Sequence, residues 1–202
     1  MTSIIKVDQI QTAAGGVPTL SSLGVTGGGT VLQQISGYCD GRTVNGITFP
    51  SVTAYQELNT VYADITGSNI SYTPPANTTT VVYRFNFKWA ASAASGISHW
   101  KVYLDGTEVT IARSSIASQY GANAHAKLHQ EIVVPFLIGG TDDVANAKLS
   151  SWTSAKTIKV QAREYDNSTY QVRVHSNLWW DGASASGTDA YMTPTITLTA
   201  LS

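Results

Sequence analysis

The stretch from Thr79 to Ala91, TTVVYRFNFKWAA, constrains the fold of this chain more than any other segment. Large apolar residues occupy every second position in it, namely Val81, Tyr83, Phe85, Phe87 and Trp89. Because a β-strand directs successive side chains to opposite faces, this pattern predicts one apolar face and one largely polar face. A strand with such an apolar face needs a second layer of structure to cover it. The stretch therefore predicts a β-sandwich.

The remainder of residues 29–202 shows the same alternation in shorter pieces separated by turn residues. Further strands are predicted at 31–38, 46–49, 58–65, 97–104, 108–112, 127–138, 157–164, 170–178 and 193–201. Asp105-Gly106 is typical of a two-residue hairpin turn. No segment has a convincing helical period. We therefore predict an all-β, jelly-roll-like β-sandwich of about 8–10 antiparallel strands over residues 29–202.

Three details of these strands are specific enough to check. In 58–65, the alternation places Val61 and Ile65 on one side of a single strand. His99 and His175 are expected on the outward faces of their strands. Cys39, the single cysteine, is expected to be a packed thiol, and it excludes an intrachain disulfide.

Residues 1–28 differ in character from the predicted domain. They are rich in small residues and glycine, and they contain a short apolar cluster of Ile4, Ile5, Val7 and Ile10. One interpretation is a flexible tail or linker. The other is an extended anchor that becomes ordered only against a partner. We favour the anchor because apolar residues are a liability on a free tail, and these four residues are then the candidate docking residues.

Composition narrows the possible partners. The net charge of -1 and the pI near 6.4 give no electrostatic case for nucleic acid or an anionic membrane surface. Only 12% of residues are charged, against about 25% in ordinary soluble proteins, which suits close contact with copies of the same chain or with neighbouring proteins. No apolar run approaches the roughly 18 residues of a membrane span, and we expect no secretory leader and no membrane insertion.

The sequence offers little for catalysis or metal binding. Its acidic residues are scattered, and it lacks the local motifs of hydrolases, phosphate-binding loops and zinc sites. His125 and His129 share a strand face at a separation of roughly 13 Å, too far to share a metal on a straight strand. Asp142-Asp143 offers oxygen ligands for calcium, but a solvated turn is the simpler interpretation. We therefore expect no enzyme, no catalytic or metal-binding residues and no cofactor.

Several aromatic residues fall in or beside predicted loops. The patch of interest is Trp152, Trp179 and Trp180 with Asp181. Exposed aromatic rings beside polar groups stack on sugars, and they also pack between subunits or anchor loops. These four residues are the candidate ligand or subunit contacts, and both interpretations stay open.

Several separate blocks of the sequence resemble a domain of marine bacteriophage virion proteins, chiefly the tail-fibre and fibre-like proteins of cyanophages and their relatives. The blocks are NISYTPP at 69–75, the long strand, GISHWKVYLDGTEVT at 96–110, AKTIKVQAREY at 155–165 and WDG at 180–182. VDQIQ at 7–11, with residues 16–25, resembles the N-terminal segment that such proteins carry. The resemblance supplies no catalytic or binding residues that can be matched position by position.

The resemblance implies a homotrimeric structural virion protein assembled in the host cytoplasm. Its N-terminal segment would dock on other virion proteins, and its β-sandwich would be displayed for attachment to the host surface. Because the chain lacks an extended shaft repeat, a short tail fibre or spike fits better than a long fibre. A capsid decoration or head-fibre protein and a glycan-binding receptor module are the alternatives.

Overall fold

The computed structural model describes residues 29–91, 95–119, 127–166, 169–177, 179–180, 183–184 and 187–202. Within these ranges the chain forms strands joined by turns and short 3-10 helices, the latter at Thr110–Ala112, Val144–Asn146 and Gly187–Ala190. The strands are β1 (Val31–Tyr38), β2 (Thr43–Val44), β3 (Ile47–Thr48), β4 (Gln56–Glu57), β5 (Ala63–Asp64), β6 (Ile70–Tyr72), β7 (Thr80–Ala91), β8 (Ser95–Leu104), β9 (Thr107–Glu108), β10 (Ser114–Gln119), β11 (Lys127–Ile138), β12 (Lys148–Leu149), β13 (Lys156–Glu164), β14 (Val172–Val174), β15 (Trp179–Trp180), β16 (Ala183–Ser184) and β17 (Thr195–Leu201). No helix in the described part of the chain has the length and hydropathy needed to cross a membrane.

Two sheets form a jelly-roll-like β-sandwich, which confirms the predicted fold class. The seven-stranded sheet has the order β1-β17-β7-β11-β12, with β14 also paired to β7 and β4 to β14. The six-stranded sheet has the order β10-β8-β13-β5, with β6 paired to β13 and β9 to β8. Among the described strands, the pairing within both sheets is antiparallel except between β11 and β12.

The core lies between the two sheets, and β7 supplies its largest side chains. All five apolar positions predicted for this strand are at most 1% exposed. Phe87 of β7 packs on Trp100 of β8 with ring centroids 4.8 Å apart. The indole N–H groups of Trp89 and Trp100 both donate to the hydroxyl of Ser98, at 2.9 and 2.8 Å. These contacts join the two sheets through both packing and hydrogen bonds.

Most of the other predicted strands are confirmed. The observed strands β1, β8, β11, β13 and β17 overlap the predicted segments, and Asp105 and Gly106 take the positive φ angles of a tight hairpin turn. Cys39 is fully buried, and its thiol donates to the carbonyl oxygen of Gly67 at 3.2 Å. Burial first, and the neighbouring Asp40 second, raise the pKa of this thiol to about 12, so it is a packing residue as predicted.

The prediction of one strand over 58–65 is wrong. Before this segment, β4 pairs with β14 in the seven-stranded sheet, and within it β5 pairs with β13 in the six-stranded sheet. The segment therefore crosses from one sheet to the other and cannot keep one alternation. As a result Val61 is 70% exposed whereas Ile65 is buried.

Two further boundaries differ from the prediction. The strand predicted at 108–112 ends after Glu108, and Thr110–Ala112 is a 3-10 helix that leads into β10, which was not predicted. The strand predicted at 170–178 is reduced to β14, because His175 has a left-handed φ of +66°. This backbone turn directs His175 into the core, so the prediction of an outward His175 is wrong.

Candidate functional site

The outer face of the six-stranded sheet combines cationic, aromatic and amide side chains on two adjacent central strands. In β8 and β13 the inward positions are buried, so the alternate positions point away from the core. The pairing register places Arg163 opposite His99, Gln161 opposite Lys101 and Lys159 opposite Tyr103. We refer to these six residues, with Tyr62 and Asp64 beside β13, as the cation–tyrosine face.

Two cations of this face contact the ring of Tyr62. The ammonium nitrogen of Lys101 is 4.6 Å from the centroid of the Tyr62 ring, and the guanidinium carbon of Arg163 is 5.6 Å from it. Lys159 approaches the Tyr103 ring at 5.9 Å in the same way. Such contacts contribute roughly 0.5–1 kcal/mol each at exposed sites, so their main effect here is to order the long side chains.

Carboxylates pair with most of the cations on or next to this face. Asp64 accepts hydrogen bonds from Lys159 at 3.0 Å and from the Gln161 amide at 2.7 Å. Glu108, opposite Tyr103 on β9, forms ion pairs with Lys101 and Arg113. Four cations thus face two carboxylates, which leaves a surplus of positive charge.

Arg163 carries that surplus. Among the described residues, no carboxylate lies within ion-pair distance of its guanidinium group, and its hydrogen-bond acceptor is the carbonyl oxygen of Glu164 at 3.3 Å. Burial and then the charge of Arg163 lower the pKa of the neighbouring His99. At neutral pH the face therefore presents an arginine beside a neutral imidazole.

The outer face of the seven-stranded sheet has a different character. At one end of β1, β17, β7 and β11 it exposes an apolar surface, which we call the apolar face and which comprises Val31, Val82, Val133, Pro135, Leu137 and Leu201. Leu137 is 51% exposed and Val133 is 42% exposed. Towards the other end of the strands the surface becomes polar, with Arg84 and Asn86 bonded to Glu131.

The apolar face lies at the end of the sandwich where residues 1–28 join the domain. The backbone N–H of Gly29 donates to the carbonyl oxygen of Ser202 at 2.6 Å, and the N–H of Ser202 donates to Thr30 at 3.0 Å. These bonds continue the pairing of β1 with β17, in which Val31 lies opposite Leu201. Gly29, the first residue after the N-terminal segment, therefore lies directly beside the apolar face.

Trp152 is the one residue of the predicted aromatic patch whose side chain the structure describes. It is only 4% exposed, packs edge-on against Tyr72 and Phe136, and donates its indole N–H to the carbonyl oxygen of Tyr72 at 3.0 Å. Trp152 thus anchors its loop to the core, and too little of its ring is exposed to stack on a sugar. A cavity of about 400 Å³ lies beside it, lined by Pro74, Pro75, Ala76, Asn77, Thr78, Ile138, Ser150, Ser151, Trp152 and Thr153.

The other predicted contact residues are described less fully. The backbones of Trp179 and Trp180 form β15, which pairs with β16 as a small hairpin where a loop had been predicted. Asp181 lies outside the described residues, as do the predicted docking residues Ile4, Ile5, Val7 and Ile10.

The acidic residues of the 142–143 turn have protein partners. Asp142 accepts the backbone N–H and the hydroxyl of Ser150 at 2.6 and 2.9 Å, and Asp143 accepts the Asn146 amide at 2.8 Å. The hydrogen bonds from Ser150 lower the pKa of Asp142. In the described ranges no three His, Cys, Asp or Glu residues form a group suited to a metal ion. His125, one of the two histidines considered above, lies outside those ranges.

Comparisons with known proteins give no family for this chain. No protein-family model and no curated protein matches the sequence. Among solved structures, the sugar-binding C-terminal domain of EclA aligns over 61% of this chain and 74% of its own length, at 12% identity and a TM-score of 0.31. A CBM35 from Paenibacillus barcinonensis aligns over 85% of this chain and 92% of its own length, at 15% identity and a TM-score of 0.20.

A third alignment, with the Podospora anserina GH26-CBM35 β-(1,4)-mannanase, covers 83% of this chain but 27% of that one, at 14% identity and a TM-score of 0.25. Likenesses at these scores transfer neither a ligand nor a function to this chain. The fold described above rests on the strand pairing and the core, and the candidate sites rest on their own geometry.

The sequence contains a signal for the cation–tyrosine face, but a search for local motifs does not detect it. The alternation in β8 and β13 already placed Lys101 and Arg163 outward. Two facts were missing: β8 and β13 are neighbours, and the 58–65 segment crosses over so that Tyr62 lies on the same side. Both depend on strand order, which local periodicity does not contain.

Proposed function

We propose that this chain is a structural protein of a bacteriophage particle, a short tail fibre or spike whose β-sandwich associates with copies of itself. Residues 1–28 tether it to other virion proteins, and the sandwich is displayed towards the host surface. A homotrimer is the assembly that the sequence resemblance implies. The apolar face is the observation that carries the proposal.

Three properties of the apolar face support a second copy of the chain as its occupant. Its aliphatic side chains cluster at one end of four neighbouring strands, with Thr80 and Thr199 between them, whereas isolated exposed apolar residues are normal on any protein surface. It lies beside Gly29, which follows the N-terminal segment, so a tether formed by that segment would hold the apolar faces of several copies near one another. The low charge of the chain, 12% of residues, leaves little repulsion between copies.

The test is the native mass of the full chain by light scattering, with and without changes in the apolar face. The variant Val133→Thr with Leu137→Gln keeps the strand and makes the surface polar. The control is Val61→Thr with Ile111→Gln, at positions that are 70% and 67% exposed and lie outside the apolar face. We expect a trimer for the wild type and the control, and monomers for the variant at the same concentration.

Shortening the chain to begin at Thr30 tests the tether separately. We expect the shortened chain to fold and to keep its trimer but to stop joining the particle. A monomeric wild type, or an apolar-face variant with the mass of the wild type, contradicts self-association through this surface. A shortened chain that still joins the particle contradicts the tether.

The cation–tyrosine face favours a second candidate function, glycan binding. Saccharide sites combine aromatic rings with polar side chains that hydrogen-bond sugar hydroxyls, and this face has both in a half-buried, ordered arrangement on central strands. This function is compatible with the first, since a host-attachment protein needs a surface that recognises the host.

A further inference from the structure

We propose that the cation–tyrosine face binds acidic saccharides, with the carboxylate or sulfate group of the sugar on Arg163 and the sugar hydroxyls on Asp64 and Glu108. This inference rests on the glycan-binding function above and adds a position and a chemical class of ligand to it. The anchoring residue and the charge of the ligand both follow from the pairing of charges on this face.

Arg163 is the cation whose pairing is incomplete. Lys101 and Arg113 share Glu108, and Lys159 pairs with Asp64, whereas in the described part of the chain Arg163 has no carboxylate partner. A guanidinium group presents five donors in a planar fork that matches a carboxylate or sulfate bidentately. One acidic group of a ligand therefore completes the charge pairing on this face.

Arg163 is also held in place before any ligand binds. It projects from β13, which lies between β8 and β5 and pairs with both. Its guanidinium group lies over the Tyr62 ring and donates one hydrogen bond to the Glu164 carbonyl oxygen. A donor that is already oriented loses less conformational entropy on binding, which favours recognition by a single residue.

The mixed charge of the face distinguishes a saccharide from other anionic partners. Asp64 and Glu108 lie within a few residues of the cations, where they repel a continuous row of phosphates but accept hydrogen bonds from sugar hydroxyls. An acidic saccharide, with hydroxyls as well as a carboxylate or sulfate, fits both kinds of group.

The experiment compares three polymers with one sugar backbone, namely dextran, carboxymethyl dextran and dextran sulfate. Binding of the full wild-type chain is measured by calorimetry at fixed ionic strength. We expect binding to the two acidic polymers and none to dextran. The variant Arg163→Gln should weaken acidic-polymer binding about tenfold or more, because it removes charge-assisted hydrogen bonds. The variant Arg163→Lys should also bind the acidic polymers more weakly than the wild type, because lysine keeps the positive charge but lacks the planar fork of donors.

The matched control is Arg84→Gln, which removes one positive charge from the outer face of the other sheet. We expect it to bind as the wild type does, and we expect all variants to keep the wild-type circular dichroism spectrum and native mass. Equal weakening by Arg84→Gln and Arg163→Gln would show general charge attraction and overturn the assignment. So would equal or tighter binding of duplex DNA or anionic vesicles, or an absence of binding to both acidic polymers.

Two outcomes separate this inference from the functions on which it rests. Binding to dextran as tight as to its acidic derivatives overturns the acidic class but leaves glycan binding standing. Binding to none of the three polymers by a trimeric protein overturns the saccharide site and leaves self-assembly standing.

Discussion

His175 provides the most direct physical test of the structure. Its ring is fully buried and lies edge-on to Phe85 and Phe87, with centroids 6.1 and 6.3 Å away. Nε2 donates to the carbonyl oxygen of Thr66 at 2.9 Å, and Nδ1 has no hydrogen-bond partner among the described residues. Burial lowers the pKa of His175 to about 4, and the bond to Thr66 opposes this effect only in part. The ring is therefore neutral in the folded protein at ordinary pH.

The lowered pKa of His175 determines the direction and the size of a pH effect on the free energy of unfolding. In the unfolded chain the imidazole accepts a proton near its usual pKa of about 6.5, whereas the folded protein resists protonation down to about 4. The contribution of neutral His175 to the free energy of unfolding is therefore fully present above about pH 6.5, and it is lost as the pH falls towards about 4. Linkage gives a loss of roughly 2 kcal/mol in the free energy of unfolding between about pH 7 and about pH 5.

The assay is urea unfolding at a series of pH values for the wild type and for His175→Asn. Asparagine tolerates the left-handed backbone conformation at this position but does not titrate in this range. His129→Asn, on the exposed face of β11, is the control. We expect the pH-dependent loss to be smaller in His175→Asn by about 2 kcal/mol and unchanged in the control. Burial raises the pKa of Glu164, and the effect of this shift on the pH dependence of stability is opposite to that of His175. Glu164 is present in all three chains, so its effect cancels in the comparison.

One result would refute this reasoning: the same pH dependence of stability in the wild type and in His175→Asn. If the variant does not fold, NMR titration of the wild-type imidazoles replaces the comparison. We expect the His175 resonances to show little protonation at about pH 5, where an ordinary histidine is mostly charged. Titration of His175 near its usual pKa would show that the ring is not buried as described.

Two further predictions concern packing at the core. Trp152→Phe should lower the free energy of unfolding by about 1–3 kcal/mol, because it removes the buried hydrogen bond to the Tyr72 carbonyl oxygen. The control Tyr165→Phe, on the surface, should change the free energy of unfolding by less than about 0.5 kcal/mol. Gly96→Ala should cost about 1–3 kcal/mol because its Cβ would lie 2.7 Å from the Trp89 ring, whereas Gly140→Ala, which meets nothing within 4 Å, should be nearly neutral. Thermal and urea unfolding measure both pairs, and equal effects within either pair would contradict the packing described.

The fold class was predictable because a single long strand carried a clear signal. In β7 the alternation of buried and outward residues continues over ten residues, from Thr80 to Trp89, and β8, β13 and β17 alternate with similar regularity. In these strands each outward residue has a buried neighbour on either side, so the two-residue period of the backbone is visible in the sequence. For long strands with one buried face, periodicity alone was sufficient.

The errors arose where the chain changes partners. The 58–65 segment contributes Leu58 to the seven-stranded sheet and Ile65 to the six-stranded sheet, through hydrogen bonds to Val172 and Val160. At His175 the chain leaves its strand because this residue has a left-handed backbone conformation, although it is neither glycine nor asparagine. Such a turn has no clear signal in the sequence. The candidate sites were missed for the same reason, since both require the order of strands in a sheet. That order is set by long-range packing.

The two outer faces of the sandwich connect the two proposed roles. The sheets lie back to back, so the apolar face and the cation–tyrosine face are on opposite sides of the core. If copies associate through the apolar face, each copy directs its Arg163 away from the shared interface. The assembly then presents several identical sites to a polymer with repeated acidic groups, and avidity raises binding by as much as about 10²–10⁴-fold without any new contact. A modest affinity at each cation–tyrosine face is therefore sufficient for attachment, provided that the apolar face holds the copies together.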